Sequence, residues 1–132
     1  ALSISYADWI ARYDTLDRAD VAAMRRRIAK LREKPLISVV MPVRDTPEKP
    51  LRQTIESVLG QIYESWELCI ADDASPEPHV GNLLRSYAAR DPRIRIVLRS
   101  SRGGISEAAG SAFALATSSR ASRASCSGRR TT

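Results

Sequence analysis

Between Leu36 and Thr117, short apolar runs alternate with segments of helical period. That alternation restricts the fold more than any other property of the chain. Leu36–Met41, Leu68–Ala71 and Ile94–Leu98 are too short for buried helices and lean toward β-branched and apolar residues. Interior strands of a parallel sheet have this composition. The segments between them repeat every three to four residues: Leu51, Ile55, Val58 and Leu59 form one stripe, and Val80, Leu83, Leu84 and Tyr87 a second. A third stripe, made of small residues, follows the last strand: Ile105, Ala108, Ala109, Ala112 and Ala116. Strands that alternate with helices pair in parallel and cross over right-handed. The expected architecture is therefore α/β, a parallel sheet flanked by helices over residues 35–117.

Local signals set the expected boundaries. Thr46-Pro47-Glu48 and Ser75-Pro76-Glu77 each combine a capping residue, a proline for the first helical position and an acid that the helix dipole favours. Ahead of the body, Tyr6, Trp9, Ile10 and Tyr13 recur at helical spacing, with Ser5 and Asp8 in capping-box register. A second helix is expected from Asp17 to Glu33, ended by Lys34-Pro35. Its apolar stripe is Val21, Met24, Ile28 and Leu31, and it carries the run Arg25-Arg26-Arg27. That run reads first as a solvated helix face; an acidic partner or an anionic membrane surface is the sharper alternative. The periodicity stops at Thr117, and residues 118–132, rich in Ser and Arg, are expected to be a disordered tail. The domain reading is thus 1–34 helical extension, 35–117 body and 118–132 tail.

Charge excludes little. The net charge is +6, but residues 118–132 hold four arginines and no acid, which leaves 17 basic residues against 15 acids elsewhere. A nearly neutral body does not suggest a nucleic-acid partner. The single histidine speaks against a multi-histidine metal site, and two cysteines make no disulfide framework. Cys69 reads as a small core residue. No apolar run reaches the roughly 18 residues of a membrane span, and the first residues lack the pattern of a signal peptide. A cytoplasmic location is expected, with peripheral attachment to the inner face of the membrane left open.

The candidate functional residues gather at strand ends. Asp72 and Asp73 close the second strand, where open α/β sheets bind ligands. An acid there can bond a ribose hydroxyl or a base N–H; equally, it can accept backbone N–H groups in a turn. The loop Pro42-Val43-Arg44-Asp45 ends the first strand beside them. Arg102-Gly103-Gly104, ahead of the last helix, offers a cation and free helix N–H groups to a diphosphate. The chain has neither the Gly-x-Gly-x-x-Gly of a dinucleotide site nor a P-loop.

The stretch PLISVVMPVRDTPEKPLRQTIESVLGQIYESWELCIADDAS resembles the opening of a family 2 glycosyltransferase. That family combines a Pro-x-aromatic-Asn loop, a helix ending Ser-x-x-x-Gln and an Asp-Asp-[Gly/Ala/Asn]-Ser turn. Ser57 and Gln61 fit the helix end, and Asp72 to Ser75 fit the turn. The likeness continues through YAARDPRIRIVLRSSRGGIS and covers about 80 residues. It implies a Rossmann-like partial domain of the GT-A type, the nucleotide-sugar-binding half. Under this resemblance Pro42 to Arg44 contact the nucleoside, Asp73 binds the base, Asp72 supports the loop or the ribose, and Arg102 lies near the donor. Arg44 and Asp45 stand where the family has an aromatic residue and Asn, and Gly110 where Asn is common. The Asp-x-Asp that binds metal and diphosphate in the family, and the acceptor half with its catalytic base, have no counterpart after Thr117. No catalytic or metal-binding residue is therefore assigned. The implied cofactors are a nucleotide-sugar donor and, in a full-length parent only, Mg or Mn; the implied partner is a glycan or other hydroxyl acceptor. The chain itself is expected to be a truncated, inactive fragment. The alternative is a non-catalytic nucleotide-binding or interaction module. A response-regulator-like domain fits poorly, because its phosphate-accepting Asp would end the third strand, where Leu98-Arg99-Ser100 stands.

Overall fold

A computed structural model describes residues 4–127, with side chains as far as Thr117. Two compact units are present: Ala1–Lys34 with Ile62–Glu64, and Pro35–Gln61 with Ser65–Thr132. The elements run α1 (Tyr6–Tyr13), α2 (Arg18–Ala29), β1 (Ile37–Val43), α3 (Glu48–Leu59), β2 (Trp66–Asp72), α4 (Pro78–Arg90), β3 (Ile94–Leu98) and α5 (Ile105–Ser127).

In the second unit the three strands form one sheet in the order β1-β2-β3, with both pairs parallel. Every residue of β2 is buried, as the central strand between two helical layers must be. Its side chains alternate between two unlike faces. Leu68 and Ile70 join Leu51 and Ile55 of α3 and Val80, Leu84 and Tyr87 of α4 in the larger core. Cys69 and Ala71 meet Ala108, Ala112 and Ala116 of α5 on the other side. Small residues on both partners let α5 lie close against the sheet. Burial raises the Cys69 thiol above its ordinary pKa, as expected of an inert core cysteine. The buried Glu67 is satisfied across the strand pair: the Ser38 hydroxyl donates to its Oε1 at 2.6 Å.

Several boundaries differ from those the sequence suggests. Thr46 does not cap α3; Pro47 holds the cap position without a side-chain bond, and the Thr46 hydroxyl turns back to the Arg44 carbonyl at 3.3 Å. Likewise α4 starts at Pro78 after Glu77, because Ser75 is bound to Asp72 instead. Ile105 is not on the buried stripe of α5: as the first residue of that helix, it is 76% exposed. Helix α5 runs on through Ser127, past Thr117. No proline interrupts 118–127, and the first glycine of the tail is Gly128, so the backbone meets no helix breaker. The rest of the expected tail, 128–132, lies outside the described residues.

In the first unit, α1 is capped by Ser5, which accepts from the Asp8 N–H at 3.2 Å. Helix α2 opens with a full capping box between Asp17 and Asp20. It stops at Ala29 rather than Glu33; the N–H groups of Lys30 and Leu31 reach back only three residues, to Arg27 and Ile28, which tightens and ends the helix. Neither helix contains a buried residue. No helix among the described residues is long and apolar enough to cross a membrane.

Candidate functional site

At the carboxyl ends of β1 and β2 lies a cleft of about 330 Å³, lined by Pro42, Val43, Arg44, Thr46, Asp73, Ile105 and Ala108. Four of the residues singled out in the sequence, Pro42, Val43, Arg44 and Asp73, line it. Asp45, Asp72 and Arg102 do not.

Asp73 is the most constrained group at this edge, at 2% exposure. Its Oδ1 accepts from the Gly103 N–H at 2.9 Å and from Arg99 Nη1 at 2.7 Å, and its Oδ2 accepts from the Gly104 N–H at 2.9 Å. A carboxylate offers about four acceptor positions, so one, on Oδ2, is left over. The Gly103 N–H, then that of Gly104 and the charges of Arg99 and Arg44, hold this carboxyl below its ordinary pKa against the opposing effect of burial. Arg99 also bonds Glu107 Oε2 at 2.6 Å, so Asp73, Arg99 and Glu107 tie the ends of β2 and β3 to the first turn of α5. Gly103 is needed for this approach: a Cβ there would come within 2.6 Å of the Arg99 guanidinium and 1.8 Å of Glu107 Oε2. Gly104 adopts φ +90, which L side chains resist.

Asp72 works differently. Both of its oxygens bind Ser75: Oδ2 accepts from the backbone N–H at 3.2 Å, and Oδ1 accepts a short bond from the hydroxyl. The Ser75 hydroxyl oxygen in turn accepts from the Asp45 N–H at 2.9 Å. Asp72 thus fixes the β1–α3 loop through Ser75, and His79 Nε2 sits 3.1 Å from the Thr46 carbonyl oxygen on the same loop. The turn needs a left-handed residue at Ala74, φ 54, and the loop needs one at Asp45, φ 46. Asp tolerates that conformation through local bonding, whereas alanine bears a steric cost. Ser75→Ala removes both hydroxyl bonds and strips a buried carboxylate of a donor. Its expected cost is about 1–3 kcal/mol, read as a lower unfolding midpoint with faster amide exchange at Asp45; unchanged exchange would mean that the loop is held by something else.

Arg44 is only loosely held. It pairs with Asp45 at 3.6 Å, and both side chains are more than a third exposed, so the pair contributes little. Arg102 is exposed and makes no hydrogen bond or ion pair among the described residues; it stays off the cleft wall. The sequence reading missed Thr46, Ile105 and Ala108 on the wall, and Arg99 and Glu107 behind Asp73. Arg99 had a usable signal. In the parallel register Asp72 faces Leu98, so the next pair is Asp73 and Arg99.

The carboxylates here do not make a divalent metal site. Asp72 and Asp73 give their oxygens to N–H and O–H donors, and Asp45 pairs with Arg44. Among the described residues, no three His, Cys, Asp or Glu side chains group to hold an ion.

The family model for glycosyl transferase family 2 matches residues 38–119, which include β1 from Ser38 onward, all of β2 and β3, and every residue lining the cleft. The chain belongs to that family. A protein of Sinorhizobium fredii, y4gI, is 49% identical over 89 residues, covering 67% of this chain and 10% of that protein. The O-antigen biosynthesis protein RfbC of Myxococcus xanthus is 41% identical over 110 residues, covering 83% of this chain and 9% of RfbC. The glycosyltransferase GlyG of Streptococcus pneumoniae is 33% identical over 73 residues, 55% of this chain and 24% of GlyG. The chain thus spans about a tenth of the length of y4gI and RfbC. A three-stranded parallel sheet with helices on both faces is consistent with a partial GT-A domain of this family. Members of family 2 generally take nucleotide-sugar donors and acceptor substrates and use a divalent metal.

Proposed function

We propose that the cleft binds the nucleoside diphosphate part of a nucleotide-sugar donor, and that the chain is the donor-binding portion of an inverting glycosyltransferase acting on a hydroxyl acceptor. One observation carries this reading. The cleft opens at the carboxyl edge of a parallel sheet and is flanked by the first turn of α5. The first N–H groups of α5, from Ile105 to Glu107, have no intrahelical partner and suit an anion. Pro42 and Val43 supply an apolar wall for a nucleoside. The remaining acceptor on Asp73 Oδ2 suits a base N–H or a ribose hydroxyl. Arg44, loosely paired, is free to swing to a phosphate. Ile105 stands exposed at the wall and can cover the bound group.

The same geometry limits what the 132 residues do alone. Transfer needs a base for the acceptor hydroxyl. Among the described residues Asp73 is the only carboxylate on the cleft wall, and three of its acceptor positions are taken. The expected result is binding without turnover. Titration calorimetry with uridine, guanosine and thymidine diphosphates should show one of them binding without added metal. A nucleotide-sugar assay with Mg or Mn should stay at background. Absence of binding by all three would remove the nucleotide reading. Transfer above background would show that the isolated chain is a working enzyme.

A further inference from the structure

We propose that the α1–α2 unit is a docking surface for an anionic lipid membrane. The two helices have 8 and 12 residues and bury none of them, and helices this short are marginal in water without a packed face. The aromatic residues of α1 lie open instead, as does Leu16 in the link to α2: Tyr6 is 77% exposed, Trp9 47%, Tyr13 60% and Leu16 55%. The three aromatic side chains follow one another along α1, with ring centroids 6.5 Å and 5.9 Å apart. Rings of this kind, apolar with one polar edge, settle at the level of lipid headgroups.

The charge follows in the next helix. Residues 21–34 hold Arg25, Arg26, Arg27, Lys30, Arg32 and Lys34 against one acid, Glu33. A groove of about 590 Å³ places the two chemistries together, with Leu16, Val21 and Ala22 beside Arg18, Arg25 and Arg26. Asp17, the one acid in that groove, is engaged in the capping box. An apolar floor with guanidinium groups around it fits a phosphate headgroup and the first carbons of its chains. Long basic side chains also lay their stems on apolar surface while the charge stays at the phosphate level. An aromatic helix face joined to a cluster of basic residues is the pattern of interfacial attachment to acidic lipid. A merely solvated basic helix would need no exposed Tyr6–Trp9–Tyr13 row.

The test is co-sedimentation of the full 132-residue chain with phosphatidylcholine vesicles, with and without phosphatidylglycerol. The chain is expected to sediment only with the anionic vesicles, and less as salt rises. Trp9 emission should shift to shorter wavelength while Trp66, at 3% exposure, stays constant; subtraction of the Trp9→Phe signal separates the two. The triple variant Arg18→Gln, Arg25→Gln, Arg26→Gln should lower partitioning by roughly 100-fold, with an unchanged circular dichroism spectrum and unfolding midpoint as evidence that it folds. Equal binding to neutral vesicles, no loss in the triple variant, or capture of poly-glutamate while vesicles are ignored would each overturn the proposal. So would no binding at all.

Discussion

Tyr87→Ala is expected to destabilise the domain by about 3–5 kcal/mol, the range for removing a buried aromatic ring. That is a large share of the 5–15 kcal/mol that separates a folded domain of this size from its unfolded state. Tyr87 is 2% exposed and joins α4 to α3 and to the larger core. Its hydroxyl donates to Glu56 Oε1 at 2.7 Å, and the same oxygen accepts from Arg90 Nη1 at 3.2 Å. The guanidinium carbons of Arg52 and Arg90 lie 5.9 Å and 5.7 Å from the ring centre. The ring therefore does more than fill space, but most of its contribution is apolar. Tyr87→Phe keeps the ring and should cost only about 1 kcal/mol, the ordinary net value of one hydrogen bond. Urea unfolding of both variants separates the two contributions. Equal losses would shift the weight to the Glu56 bond and show that the ring's packing is minor.

Asp73→Ala is expected to abolish nucleoside diphosphate binding, by at least about tenfold, and to lower the unfolding midpoint. The loss follows from position: without the carboxylate, the Gly103 and Gly104 N–H groups and the Arg99 guanidinium lose their acceptor, and the start of α5 is no longer drawn to β2. The pH dependence gives a second readout. The folded carboxyl titrates below its ordinary value, so its stabilising effect is complete above about pH 3.9. It fades as pH falls from there through the lower folded value. Wild type and variant should therefore differ in stability at neutral pH and converge on acidification. Asp91, also held low by Arg93, is present in both proteins and cancels. Parallel curves down to the lowest pH would show that the Asp73 charge is not what holds the loop. Retained affinity with a lowered midpoint would leave Asp73 a purely structural group.

The sequence exposed the sheet readily because its pattern is strong. Leu68, Cys69, Ile70 and Ala71 form a short apolar run that suits a strand buried on both faces, and Ala108, Ala112 and Ala116 repeat every four residues. The capping details were less legible. Thr46 and Ser75 both looked like helix caps from neighbouring residues alone, yet a long-range partner won in one case: Ser75 spends its hydroxyl on Asp72 and Asp45. The site was half legible for the same reason. Asp73 was visible at a strand end, but its engagement with Gly103, Gly104 and Arg99 spans 26 to 31 residues of sequence. Only the strand register brings those groups together. Ile105 looked like a core residue because its spacing fits the alanine stripe; its place at the very start of the helix, beyond the strand ends, puts it on the cleft wall instead.

Helices α3 and α4 cover one face of the sheet and α5 the other. The first two crossovers carry the chain steadily from β1 to β3. A right-handed crossover through α5, on the opposite face, reverses that progress and lays any further parallel strand outside β1. The cleft at the end of β1 then stops being the margin of a three-stranded sheet and becomes the parting line of a larger one, where the two directions of winding diverge. Apart from Ile105 and Ala108 in the first turn of α5, the cleft wall is built from residues before that reversal. Under the proposed function, that division would let one half hold the nucleotide constant while the other varies with the sugar and the acceptor.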